Sequence, residues 1–163
     1  MDIRPAAADD LGFLREMLYE AASWNPDWPR ESMEEVLAEP VLSRYVLGWG
    51  RDGDAGVVAE IDGTPVGAAW HRLFMRDEPG YGFVADDVPE LAIAVAPLHR
   101  RRGIGGTLLD SLIERARKDG RPALSLSVAA HNRSRLMYER AGFSKVSATW
   151  SPAGEHWTMR LDL

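Results

Sequence analysis

The chain has 163 residues, 45% of them apolar and 27% charged, with 19 Lys and Arg against 25 Asp and Glu, a net charge of −6 and no cysteine. One domain fits that length, and without cysteine there can be no disulfide framework, thiol nucleophile, iron–sulfur cluster or sulfur-ligated zinc. The acidic balance disfavours a nucleic-acid binder, whose affinity rests on excess Lys and Arg. The chain also lacks an apolar run of about 18 residues and a basic leader behind Met1, so a soluble, cytoplasmic protein with no membrane or nucleic-acid partner is expected.

Ile3 and Arg4 read as an opening strand, and Leu11, Leu14, Leu18 and Ala21 then recur at helical spacing behind Asp9 and Asp10 as N-cap candidates. That helix should end before Asn25-Pro26. Arg30 to Ala38 suits a second helix, with Pro29 at its first turn and Pro40 just past its end, while the rest of Trp24 to Trp49 has no clear assignment. Gly53–Ile61 and Thr64–Phe74 flank Asp62-Gly63, the signal of a tight antiparallel hairpin. Met75 to Pro89, with Pro79, Gly80 and Gly82, reads as a loop. Leu91 to Ala96 is continuously apolar between prolines 89 and 97, as expected of a central strand buried on both faces.

From Gly103, the residues Ile104, Leu108, Leu109, Leu112, Ile113 and Ala116 form the apolar stripe of a helix ending near Gly120. Ala123 to Val128 alternates as a strand, Asn132 to Ala141 reads as a short helix closed by Gly142, and Phe143–Trp150 with Glu155–Leu161 reads as a closing hairpin around Ser-Pro-Ala-Gly. One mixed α/β domain over residues 1–163, without internal repeats, is the result.

The junction between the apolar strand and its helix carries the densest cationic patch, His99 to Arg102, followed by Gly103, Gly105 and Gly106. The first amides of a helix lack internal partners and sit at the positive end of its dipole, and glycines let a phosphate reach the backbone. This turn therefore suits a pyrophosphate, whose identity the turn alone leaves open. A dinucleotide fingerprint would need glycine where Leu108 stands, and a P-loop would need Gly-Lys-Ser/Thr where the chain has Gly105-Gly106-Thr107.

The run from Leu91 through Pro97 and Arg100 to Gly105 resembles motif A of the GNAT N-acetyltransferases, with Arg100, Gly103 and Gly105 at the positions of its Gln/Arg-x-x-Gly-x-Gly/Ala signature. Leu124 to Val128, followed by Asn132, Tyr138, Gly142 and Phe143, resembles motif B. The resemblance covers residues 90 to 145. It implies a central, mostly antiparallel twisted sheet of six to seven strands with about four flanking helices, and acetyl-CoA as cosubstrate.

It further implies transfer of acetyl to a primary amine by direct attack in a ternary complex. Ile93, Ala94 and Val95 would hold the pantetheine arm. Arg100, Arg101, Arg102, Gly103, Ile104, Gly105, Gly106 and Thr107 would grip the pyrophosphate, with further contacts from Asn132, Ser134, Arg135 and Tyr138. Tyr138 would protonate the leaving thiolate, and Glu90, at the mouth of the central strand, could take a proton from the acceptor's ammonium. A bland reading of Glu90 as a solvated strand-end acid and of Asn132 as a helix cap stands beside these roles.

Asp77, Glu78, Asp86 and Asp87, beside Tyr81 and Phe83, would suit a cationic acceptor, with Trp24, Trp28, Trp49 and Trp70 as further pocket candidates. The histidines at 71, 99, 131 and 156 are isolated, so no metal is expected. The resemblance also makes a homodimer an open expectation. The alternatives to an enzyme of this kind are a non-catalytic acyl-CoA sensor of the same fold and a nucleotide-dependent enzyme reusing the same turn.

Overall fold

A computed structural model describes all of residues 1–163. Its strands are β1 (Asp2–Pro5), β2 (Ala55–Ile61), β3 (Thr64–Arg72), β4 (Glu90–Val95), β5 (Ala123–Ala129), β6 (Ser144–Ser151) and β7 (Gly154–Asp162). Its helices are α1 (Leu11–Ala22), α2 (Met33–Leu37), α3 (Pro40–Ser43), α4 (Ile104–Lys118) and α5 (Ser134–Arg140). The seven strands form one sheet in the order β1-β2-β3-β4-β5-β7-β6, antiparallel except where β4 meets β5.

The hairpin turns where the sequence indicates. Asp62 and Gly63 both take positive φ, 51° and 76°, so that β2 and β3 pair from Ile61↔Thr64 onward. Helix α4 buries its whole apolar stripe, Ile104, Leu108, Leu109, Leu112, Ile113 and Ala116, against one face of the sheet. Leu91, Ile93 and Val95 of β4 and Tyr138 of α5 belong to that layer. The other face packs against Leu14, Met17 and Leu18 of α1, Leu37 of α2, and Tyr45 and Val46, with Ala92 and Ala94 of β4 and the following Ala96 turned to this side. Side chains alternate across a strand, so Glu90 shares the α1 face with those alanines.

Three readings are corrected by the structure. The second helix is shorter, Met33–Leu37, because Ser32 caps it by accepting from the Glu35 amide at 3.1 Å, which leaves Pro29 outside. Pro40 does stand just past the end of that helix, and it also opens the single-turn α3. Asp10 precedes α1 without capping it: its carboxylate accepts from the Ala7 amide at 2.6 Å and pairs with Arg4 at 2.8 Å. Finally, only Leu91 of the apolar run is fully buried, whereas residues 92–96 are half-buried. The cause is the neighbour: β4 and β5 share a single register pair, Glu90↔Ser125, and then part.

Candidate active site

That parting makes a wedge-shaped opening in the middle of the sheet, closed at Glu90 and open toward the C-terminal ends of both strands. Beyond Ala96, a 3-10 turn at Pro97–His99 leads to Arg101 and Gly103, with φ of 61° and 80°, and then into α4. Two left-handed residues so close together fold the chain tightly enough to bring the start of α4 beside the end of β4. A Cβ on Gly105 would touch Met137 Sδ at 3.4 Å and Val95 Cγ2 at 3.9 Å, so β4, α4 and α5 converge there. Arg101, Arg102 and Gly103 are exposed, Gly105 and Gly106 are half-buried, and Ile104 anchors the turn in the core. Thr107 donates its hydroxyl to the Gly103 carbonyl at 3.2 Å. Between α4 and α5 runs a groove of about 300 Å³, lined by Gly106, Leu109, Asp110, Met137 and Arg140.

The arginines of the turn divide. The Arg100 guanidinium folds back, donating to the Val95 carbonyl at 3.0 Å and to Glu20 of α1 at 2.8 Å, and Glu20 also pairs with Arg30 at 2.5 Å. Arg100 thus ties the turn to α1 although it is exposed, whereas the exposed Arg101 and Arg102 form no ion pair. Asn132 lies one residue before the N-cap position, Arg133, and its side-chain oxygen accepts from the Ser134 amide, the first of α5, at 2.9 Å. Arg135 lies over the Trp157 ring at 4.7 Å and pairs with Glu139 at 3.6 Å.

Tyr138 is buried on the α4 face, edge-on to Phe143 at 6.0 Å. Burial pushes its phenol well above the ordinary value, so it keeps its proton at neutral pH.

Glu90 is not a solvated strand end: it is 2% exposed. Its Oε1 accepts from the Tyr45 hydroxyl and, at 2.8 Å, from the Gly82 amide. The Tyr45 oxygen in turn accepts from the Tyr81 amide at 2.9 Å, and the Tyr45 and Tyr81 rings stack at 6.2 Å. The segment 79–82 therefore lies over the carboxyl, held by Arg44 donating to the Pro79 carbonyl at 2.9 Å. Glycines are required here by contact. A Cβ on Gly80 would run into Glu90 Oε2, and one on Gly82 would come within 2.5 Å of the Leu126 carbonyl carbon in β5. Burial pushes the Glu90 carboxyl up to about 7, against the opposing pull of the Tyr45 and Gly82 hydrogen bonds. A carboxyl at that value exchanges a proton readily near neutrality.

Tyr45 and Gly82 escape a sequence reading because nothing local marks them. Tyr45 lies in the stretch without periodicity, and its partner is 45 residues away. The loop acids Asp77, Glu78, Asp86 and Asp87 are exposed. Of the aromatics, Trp70 is core, donating to the Tyr45 carbonyl at 2.9 Å, and Trp49 donates to the Ala7 carbonyl at 3.1 Å. Trp24 instead meets Trp28 at 5.4 Å and His131 at 5.1 Å, so the segment after α1 touches the segment after β5. No helix is long and apolar enough to cross a membrane, and no group of three metal-ligating side chains is present.

Comparison with known proteins bears on this arrangement. Over 121 residues the chain is 30% identical to a mycothiol acetyltransferase of Catenulispora acidiphila, an alignment covering 68% of this chain and 37% of that protein. Over 152 residues it is 33% identical to an uncharacterized N-acetyltransferase of Methanocaldococcus jannaschii, covering 88% and 60%. The chain thus spans only part of the length of these curated relatives. Among solved structures it is similar to a ribosomal-protein-alanine N-acetyltransferase from Brucella melitensis, with a TM-score of 0.73, 26% identity and 100% of both chains covered. It has the same fold as a putative acetyltransferase from Salmonella typhimurium solved with its cofactor acetyl-CoA, at TM-score 0.69 and 22% identity, covering 100% and 94%. The model of the acetyltransferase (GNAT) family matches residues 14–143, and the chain belongs to that family.

Proposed function

We propose that this chain is a single-domain, acetyl-CoA-dependent N-acetyltransferase that acts on a primary amine. The observation that carries the reading is the wedge between β4 and β5. It opens onto an anion-ready glycine turn at one end and closes on a buried carboxyl near pH 7 at the other, with a protonated phenol on the opposite face. Bound acetyl-CoA supplies the acetyl group as a thioester. The free helix-start amides of α4, with Arg101 and Arg102, hold its pyrophosphate, and Arg100 holds the turn. Along Ile93–Val95 the backbone amides of Ile93 and Val95 are on the edge that faces β5 and line the wedge; an N–H aimed at the carbonyl oxygen stabilises charge that develops only in the transition state.

Glu90 takes one proton from the acceptor ammonium. The freed nitrogen bonds the acetyl carbon as the carbon–sulfur bond breaks, and Tyr138 gives its proton to the departing sulfur. The second nitrogen proton restores the phenol, so the proton on Glu90 is the one released to water. Because Glu90 lies on the α1 face and Tyr138 on the α4 face, acceptor and thiol are served from opposite sides of the sheet.

The test is the melting temperature with acetyl-CoA, NAD or ATP, followed by thiol release with an amine panel that includes a peptide starting with alanine. Acetyl-CoA at 100 times its dissociation constant should stabilise by about 2.7 kcal/mol, and NAD and ATP should not. A shift without thiol release for any amine would favour an acyl-CoA sensor, and a shift with NAD or ATP alone would overturn the reading. We also read β6 as the pairing edge of a homodimer. It is exposed along its length, with Trp150 77% accessible, and sedimentation at a monomer's mass across micromolar concentrations would refute it.

A further inference from the structure

Two features of the Glu90 centre go beyond what a proton acceptor needs. First, the segment that carries Tyr45 is fastened to β3 by buried polar groups on both sides. Arg72, 1% exposed, donates to the carbonyls of Arg44 at 2.8 Å and Leu47 at 2.6 Å, while Trp70 donates to the carbonyl of Tyr45 itself. The Arg72 charge is met by Asp54 at 2.6 Å, so the guanidinium acts as a clamp rather than as a counter-ion for its register neighbour Glu90. Burying an arginine–aspartate pair is costly, and packing of the Tyr45 ring on Phe74 would not require it. What the clamp secures is the position of the phenol oxygen.

Second, the two oxygens of Glu90 are treated differently. Oε1 receives two donors, whereas Oε2 is buried with none. Ser125, the register partner of Glu90 across the single β4–β5 pair, is fully buried and its hydroxyl is also without a partner. Register partners project to the same face, so the two orphaned groups share one face across the single rung, and Gly80 packs so closely on Oε2 that no side chain could stand between them there. Orphaned buried polar groups in such a pair are the usual seat of an internal water.

We propose that Tyr45 and Ser125 are the positioning residues of the Glu90 carboxyl: Tyr45 fixes Oε1, and Ser125 shares with Oε2 a bound water through which the acceptor's proton arrives. The inference rests on Glu90 as the base. The groups around the carboxyl are Tyr45 and Tyr81, the amide of Gly82, Arg72 held by Asp54, Arg44 held on Pro79, and Ser125.

The experiment is a carboxyl titration of the full chain labelled with ¹³C at glutamate Cδ, with Glu90→Gln identifying the Glu90 resonance. It requires no acceptor. Removing the Tyr45 donor with Tyr45→Phe should raise the Glu90 midpoint by about one pH unit, a tenfold change in ionisation. Ser125→Ala should raise it by about half as much. An unchanged midpoint in a folded Tyr45→Phe protein overturns the role of Tyr45, and an unchanged midpoint in Ser125→Ala overturns that of Ser125. Ser125→Ala changes no packed volume beyond one oxygen, so it keeps the test decisive where Tyr45→Phe proves unstable. If both midpoints move but Glu90→Gln releases thiol at the wild-type rate, the base reading itself fails and the positioning of the carboxyl stands.

Discussion

The two ends of β4 solve opposite problems. At its C-terminal end the strand runs into a turn whose work is done by consecutive residues, Arg100 to Thr107, open to solvent and fitted to an anion through backbone amides. At its N-terminal end a single carboxyl is buried by groups drawn from four separate stretches, around residues 45, 72, 81 and 125. A diffusing, charged ligand needs an exposed cradle, whereas a proton acceptor tuned toward neutrality needs to be kept from water. One end is consequently local in the sequence and the other is not.

The sharpest way to break the comparison is Glu90→Gln, which keeps the shape and removes the proposed base. Turnover should fall about 10²-fold or more while affinity for acetyl-CoA, read by thermal shift, stays within about twofold. The same variant tests the burial through stability. Because the Glu90 carboxyl is raised in the folded chain to about 7, the stability it brings is complete below its ordinary value of 4.5 and is lost as pH rises through 7. The wild type should therefore lose on the order of 3 kcal/mol relative to Glu90→Gln between pH 4.5 and 8 in denaturant titrations. His71, buried and held down to about 4, acts in the other direction, its contribution being lost as pH falls from 6.5 through 4. It is present in both proteins and cancels in their difference.

A paired glycine experiment sharpens the comparison further. Gly82→Ala forces a methyl against the β5 backbone and should destabilise by about 1–3 kcal/mol and disturb the Glu90 titration without weakening acetyl-CoA binding directly. Gly103→Ala meets no neighbour but must take a φ of 80°, which costs about 1 kcal/mol and should chiefly weaken acetyl-CoA, read as a smaller thermal shift. Equal effects of the two variants on ligand binding would erase the distinction between the ends.

The legibility of the molecule follows the same divide. Periodicity and turn chemistry suffice for the β2–β3 hairpin, α4 and the glycine turn, because each is specified by residues within reach of one another. The stretch between Trp24 and Trp49 is opaque because its helices have five and four residues, too short for a period to declare itself, and their stability comes from capping and packing. The half-burial of Ala92 to Ala96 was hidden for a different reason: composition records that a strand is apolar, not that its neighbour departs after one register pair. Glu90 could be named from its place before the apolar strand. Its burial, its preference between two oxygens and the guanidinium clamp behind Tyr45 depend on contacts across tens of residues.

That single register pair also divides the sheet mechanically. Strands β1 to β4 form one antiparallel raft and β5, β7 and β6 a second, stitched by one rung at Glu90 and Ser125 and by the Gly82 peptide lying against β5. Glu90 rides on the first raft, while Tyr138, on the helix between β5 and β6, rides on the second. Beyond that rung the two rafts meet through side chains, in the α4 core that joins Val57 and Leu91 of the first to Leu124, Leu126 and Tyr138 of the second. At the seam the sheet thus gives up backbone hydrogen bonds and is held by side-chain packing instead, so the spacing of β4 and β5 is set by what fills the core beneath them.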